Sequence, residues 1–301
     1  MTINADTAAI LDSALARITA GYVFPEHTTA IETAIRGHLA AGAYEGLAAP
    51  ELCAAVTAHL QEACPDKHLR LLYEQEPQSM EEEPEEVASA RFEARCVAAN
   101  FGVERVERLD GNIGYLDLRL IADPATAART FAAAMELLAL TSALVLDLRK
   151  NIGGLPEGVA LWCSYFFPDG DTHLNDVYDR KTDSTRQYWT STHLPAPRYL
   201  DRPVYVLTSA STFSAGEELA YNLQANKRAT LVGETTRGGA HPTARIAVTP
   251  HITVTVPTAR AVNPVTGTNW EGVGVVPDIA VPADRALDAA VEDALRGSAA
   301  A

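Results

Sequence analysis

No apolar run in this 301-residue sequence approaches the roughly 20 residues that a membrane-spanning helix requires. The opening MTINADTAAI also lacks the basic stretch and apolar core of a secretory signal. The expectation is a chain without a membrane span, read as cytoplasmic. Positive charge is scarce: 24 Lys and Arg stand against 39 Asp and Glu, a net charge of -15, which disfavours nucleic acid or an anionic membrane as partner. Cysteine is sparse too. Cys53, Cys64, Cys96 and Cys163 show no metal-ligand spacing, and no metal or other cofactor is expected. Cys53 and Cys64 fall in one predicted helix about 16 Å apart, beyond disulfide reach. Their separation is close to three helical turns, so both are read as core thiols on one face. The turn Glu234-Thr235-Thr236-Arg237-Gly238-Gly239 lacks the Lys-Ser/Thr ending of a phosphate loop, which disfavours nucleotide binding.

What is present divides into a helical start and an α/β remainder. Apolar residues at i, i+3 and i+4 spacing predict helices over 7–18, 27–41 and 49–64, with Pro50 placed where a first turn tolerates it. A helical domain over 1–65 and an α/β catalytic-type domain over 66–301 are expected. Residues 74–100 are read as an acidic loop and connector, because EQEPQSMEEEPEE is a charge run with two prolines. Strands are expected over 69–73, 103–109, 113–118, 144–148, 204–207 and 229–233, with helices over 125–140, 155–167, 215–226 and 284–295. The segment 246–261 alternates like strands, and an Ala-rich tail is expected to fray.

One hydroxyl stands out. Ser214 lies where the apolar strand 204–207 hands over to the helix 215–226, at the positive helix end, a setting that suits a nucleophile. The competing reading is a plain capping box, because Ser214-Ala215-Gly216-Glu217 fits that pattern as well. The paired glycines of Asp147-Leu148-Arg149-Lys150-Asn151-Ile152-Gly153-Gly154 suit an oxyanion hole, since glycine lets backbone N–H groups approach a ligand. An ordinary glycine turn is the alternative. His68 beside a turn and Glu271 in a Trp-Glu-Gly loop would by default be a structural imidazole and a solvated carboxylate.

The three segments DLRKNIGG, TFSAGEE through GETTRGG, and WEGVGVVPD, in that order, resemble the tail-specific (C-terminal-processing) serine peptidases. They are closest to the branch of interphotoreceptor retinoid-binding protein-like proteins and the tricorn core protease. The resemblance implies a crotonase-like, spiral ββα core after an N-terminal helical bundle, and Ser214 as nucleophile. It further implies His68 as general base, Glu271 as part of the catalytic constellation, and an oxyanion hole of Gly153 or Gly154 with Ala215. Gly238, Gly239, His241 and Trp270 are candidate substrate-binding positions, and His241 also competes with His68 as base. Two departures are visible: the acidic segment is too short for the family's PDZ domain, and Gly239 stands where Ser-Lys members carry lysine. The expected activity is serine peptidase or hydrolase chemistry on a peptide, amide or ester. The alternatives are a non-proteolytic binder of a lipophilic small molecule and a hydrolase or cyclase acting on a biosynthetic intermediate. Homo-oligomerisation is compatible with the sequence and unspecified by it.

Overall fold

A computed structural model describes residues 4–81 and 85–299. Residues 82–84 of the acidic run and the last two alanines of the tail lie outside that range. In chain order the elements are α1 (Asn4–Gly21), α2 (Thr28–Ala40), α3 (Ala49–Ala63), β1 (Arg70–Tyr73), α4 (Glu85–Ala98), β2 (Val103–Leu109) and β3 (Ile113–Leu118). Then come α5 (Pro124–Leu138), β4 (Ala143–Asp147), α6 (Pro156–Ser164), β5 (His173–Asp179), β6 (Ser184–Trp189), β7 (Val204–Thr208) and α7 (Ala215–Ala225). The chain closes with β8 (Thr230–Gly233), β9 (Thr243–Thr249), β10 (Ile252–Pro257), β11 (Ala259–Val262), β12 (Ile279–Ala280) and α8 (Ala286–Ala299). The class is mixed α/β. Two compact units emerge, one of Met1–Glu85, Val177–Arg186 and His241–Ala261, the other of Glu86–Asp176, Gln187–Ala240 and Val262–Ala301. These units are discontinuous in sequence, whereas the sequence reading drew one boundary after residue 65.

In the first unit α1, α2 and α3 place Leu11, Ile18, Ile31, Ile35, Leu52 and Val56 in one core with Leu71, Val254 and Val256 of the antiparallel sheet β1-β10-β9. Leu71 pairs with Val254, and Val254 with Ile246, so period-two alternation aims one face of this sheet at the helices. Cys53 and Cys64 are buried free thiols, as the helical spacing anticipates.

The second unit is built on a six-stranded sheet in the order β12-β8-β7-β4-β3-β2. It is parallel from β12 to β3, with β2 antiparallel at one end. Both faces are covered. Ala286, Ala290 and Ala294 of α8, at helical i+4 steps, lie against Tyr115, Val145, Tyr205 and Leu207, while the alternating Leu144, Leu146 and Val206 are equally inaccessible on the other face. This is why β4 and β7 read as continuous apolar runs rather than alternating ones. A third sheet has the order β11-β5-β6.

The connector read over 74–100 holds a helix, α4, that the sequence reading missed. Among its described side chains only Cys96 is buried, so it lacks the apolar stripe that marks a helix in sequence.

Candidate active site

The loops leaving the carboxyl ends of β4, β7 and β8 contain DLRKNIGG, TSASTFS and GETTRGG respectively. In parallel α/β sheets this is the edge where ligands bind. Short hydrogen bonds join the first two loops: Ser209 Oγ donates to Arg149 O (2.6 Å), Thr212 Oγ1 to Leu148 O (2.9 Å) and Phe213 N–H to Asn151 O (3.1 Å). Ser214, half-buried at the start of α7, has φ 54° and ψ −123°. A non-glycine residue in that region carries strain of about 1–3 kcal/mol and is concentrated at functional turns. Only the glutamate half of the capping box forms. Ser214 N–H donates to Glu217 Oε2 at 2.9 Å, while the serine hydroxyl makes no cap hydrogen bond.

Gly153 touches this turn directly. A Cβ at Gly153, where φ is 104°, would lie 2.8 Å from Ser214 Cβ, so no other residue fits beside the serine. Its N–H is engaged by Asn151 Oδ1 (2.9 Å). The bridge to Ile121 uses Ile121 N–H to Gly153 O and Leu155 N–H to Ile121 O, both 2.9 Å, and so leaves Gly154 N–H outside it. Of the two glycines, Gly153 thus has its N–H occupied within the loop, whereas the bridge does not use that of Gly154. Ala215 is buried at the first helical position, where a backbone N–H has no intrahelical acceptor.

Glu217 is inaccessible to solvent and collects four donors. Besides Ser214 N–H these are Thr236 Oγ1 (2.5 Å), Gly238 N–H (2.6 Å) and Gly239 N–H (2.9 Å). Burial pushes its carboxyl above the ordinary range, opposed by the hydrogen bonds from Thr236, Gly239, Gly238 and Ser214. The third motif closes on the same loop: Gly272 N–H donates to Gly238 O (2.9 Å) and Trp270 Nε1 to Gly239 O (2.8 Å). Trp270 is 1% exposed, so its ring braces the loop and offers little surface to a substrate. Glu271 Oε2 accepts from Ala240 N–H at 2.6 Å. Glu218, one turn into α7, is buried. Burial raises its carboxyl to about 7, opposed by the nearby Asn175 amide and with a further push from Glu157.

The first unit holds another buried carboxylate, one to which the sequence analysis assigns no role. Asp66 Oδ2 accepts from Tyr22 OH (3.1 Å) and lies 2.7 Å from His241 Nδ1, and Asp66 Oδ1 accepts from His68 N–H (3.0 Å). Asp66, His68 and His241 are all buried. The carboxylate thus meets the imidazole of His241 and the backbone N–H of His68. Phe24 packs edge-on against the His241 ring at 5.2 Å. Beside Asp66, the Tyr22 hydroxyl is raised far above its normal range, by burial first and by the carboxylate second. The one signal in the sequence was the turn Pro65-Asp66-Lys67-His68, where an aspartate bonding two residues on is common.

The profile of peptidase family S41 matches residues 112–281, more than half of the chain and all three motifs. A carboxyl-terminal-processing protease of Synechocystis sp. is 39% identical over 94 residues, 31% of this chain and 20% of that protein. The chloroplastic carboxyl-terminal-processing peptidase 2 of Arabidopsis thaliana is 33% identical over 149 residues, 47% of this chain and 26% of that protein. This chain spans between 20% and 40% of the length of the curated relatives it matches. Among solved structures, the photosystem II D1 C-terminal processing protease superposes with a TM-score of 0.52 at 16% identity, over 93% of this chain and 94% of that one. A lipoprotein of Streptococcus agalactiae reaches 0.60 at 13% identity, over 98% and 97%. At these identities the likeness is one of fold.

Proposed function

This chain belongs to peptidase family S41, and we propose that it is a serine peptidase or hydrolase cleaving a peptide, or a related amide or ester, by acyl transfer through Ser214. The observation that carries the proposal is the Ser214 turn: a serine at φ 54° on a helix start, its N–H fixed by a buried glutamate. Ser214 Oγ attacks the carbonyl, and the N–H groups of Ala215 and Gly154 receive the oxyanion that develops. With glycine at 239 the base is an imidazole. The resemblance gives that role to His68, with Glu271 supporting the constellation. A second reading gives it to His241, favoured by the 2.7 Å Asp66 contact at Nδ1, the arrangement in which a carboxylate fixes the tautomer of a catalytic histidine. The finer placement, a crotonase-like core of the retinoid-binding-protein-like and tricorn branch, belongs to the same proposal.

A fluorophosphonate probe tests it. Label is expected on Ser214 of the wild-type chain and none on Ser214→Ala at unchanged melting temperature. Equal labelling of the two would overturn the assignment, and a co-purifying lipid with no labelling of either would favour a lipophilic binder. Loss of the base should cost about 100-fold or more in kcat, so parallel His68→Ala and His241→Ala measurements separate the two histidines.

A further inference from the structure

The loop after β8 carries a cation that the acyl-transfer chemistry does not use. Arg237 is exposed, and its guanidinium lies over the Phe213 ring, 4.7 Å from the centroid. Phe213 immediately precedes Ser214. Among the described residues no carboxylate or carbonyl is recorded as accepting from this guanidinium. Two other ring-stacked arginines differ. Arg202, over Tyr199, donates to Ala139 O and Thr141 O, and Arg228, over Phe166, donates to Phe166 O, Tyr199 O and Arg202 O. Those guanidinium groups brace the fold, whereas Arg237 keeps a planar fork of five donors available.

Its position is fixed by more than the ring. Arg237 N–H donates to Thr212 O (3.1 Å), and its neighbours Thr236 and Gly238 both donate to Glu217, whose carboxylate also holds Ser214. The root of this side chain is therefore tied to the serine turn from both sides. The setting is also electrostatically unusual. In a chain of net charge -15 the general field repels anions, and Arg237 puts a positive charge beside the serine turn.

We propose that Arg237 selects substrates carrying a carboxylate close to the scissile bond, received as a bidentate pair by the guanidinium. An extended residue spans about 3.3–3.6 Å, so the carboxylate belongs within one or two residues of the carbonyl that Ser214 attacks. It comes either from an acidic side chain or from a free C terminus. This inference rests on the acyl-transfer reading of Ser214.

The test compares kcat/KM for pairs of short peptides that differ only in Glu against Gln at each position flanking the cleaved bond, each made with a free and with an amidated C terminus. A ratio of about 10 or more in favour of the charged peptide is expected at low salt, shrinking as ionic strength rises. It should fall to near 1 in Arg237→Ala, recover in part in Arg237→Lys and invert in Arg237→Glu. The ratio cancels any general loss of activity. Dependence on Glu identifies a side chain as the anion, and dependence on amidation identifies the terminus. A ratio near 1 in the wild-type chain throughout, or one that survives Arg237→Ala, overturns the proposal while Ser214 labelling stands. Fluorescence anisotropy of the same peptides on Ser214→Ala reads the ratio without turnover, which keeps failure of anion selection distinct from failure of the acyl-transfer reading.

Discussion

Asp66 in the first unit and Glu217 in the second are both buried carboxylates with several donors, yet their partners differ in kind. Glu217 takes three backbone N–H groups and one hydroxyl, none of which changes charge near neutral pH. Asp66 takes a phenol, one backbone N–H and an imidazole, two of them side chains from distant parts of the sequence. The first pattern fixes a backbone. The second orients a side chain. The donor set therefore separates a carboxylate that shapes a loop from one that holds an imidazole ring, a distinction that burial alone does not make.

Substitutions that keep shape and remove charge sharpen this contrast. The largest effect is expected at Asp66. On the His241 reading, Asp66→Asn stabilises the wrong tautomer and lowers kcat by about 10³–10⁴, with a changed pH profile and a modest fall in melting temperature. A small, pH-independent loss of kcat would return the base role to His68. Glu217→Gln comes next and acts on structure. An amide sets its NH2 either against the N–H groups of Ser214 and Gly239 or against that of Gly238, costing about 3 kcal/mol of stability, visible in denaturant unfolding together with a fall in kcat. Unchanged stability would mean that the loops stand without their common anchor.

Glu218 gives the smallest effect, and one of opposite sign. Its folded value of about 7 lies above the ordinary carboxylate range because burial penalises the charged form. The folded state therefore holds the extra proton in the window from about 4.5 to 7, and stability declines as pH rises through that window. Glu218→Gln, which stays neutral, should raise stability at pH 8 by roughly 2 kcal/mol and flatten the slope. A Glu218→Gln chain with the wild-type slope in thermal unfolding would assign that slope to another group.

Much of this architecture was legible because burial writes a period into sequence. The doubly covered β4 and β7 read as apolar runs, and the three N-terminal helices showed their stripes. α4 was not legible, since a helix with one buried side chain has no period to find. At the site, local grammar gave half an answer: the capping-box pattern announced that Glu217 holds Ser214 N–H, but not that the same carboxylate also takes Thr236, Gly238 and Gly239. Nor could spacing reveal that Asp66 meets His241 across 175 positions, or that Asn151 occupies the N–H of Gly153. Such partners are brought together by topology, and single-sequence patterns carry only local information. The family resemblance located the segments. Their mutual wiring needed coordinates.

The left-handed backbone at Ser214 sets survival against chemistry. Glycine accepts φ 54° without the steric penalty that serine bears, so Ser214→Gly should give a chain that melts later and reacts with nothing. Any screen for heat resistance alone would discard the hydroxyl, and its presence at this turn is accounted for by the acyl transfer proposed for it.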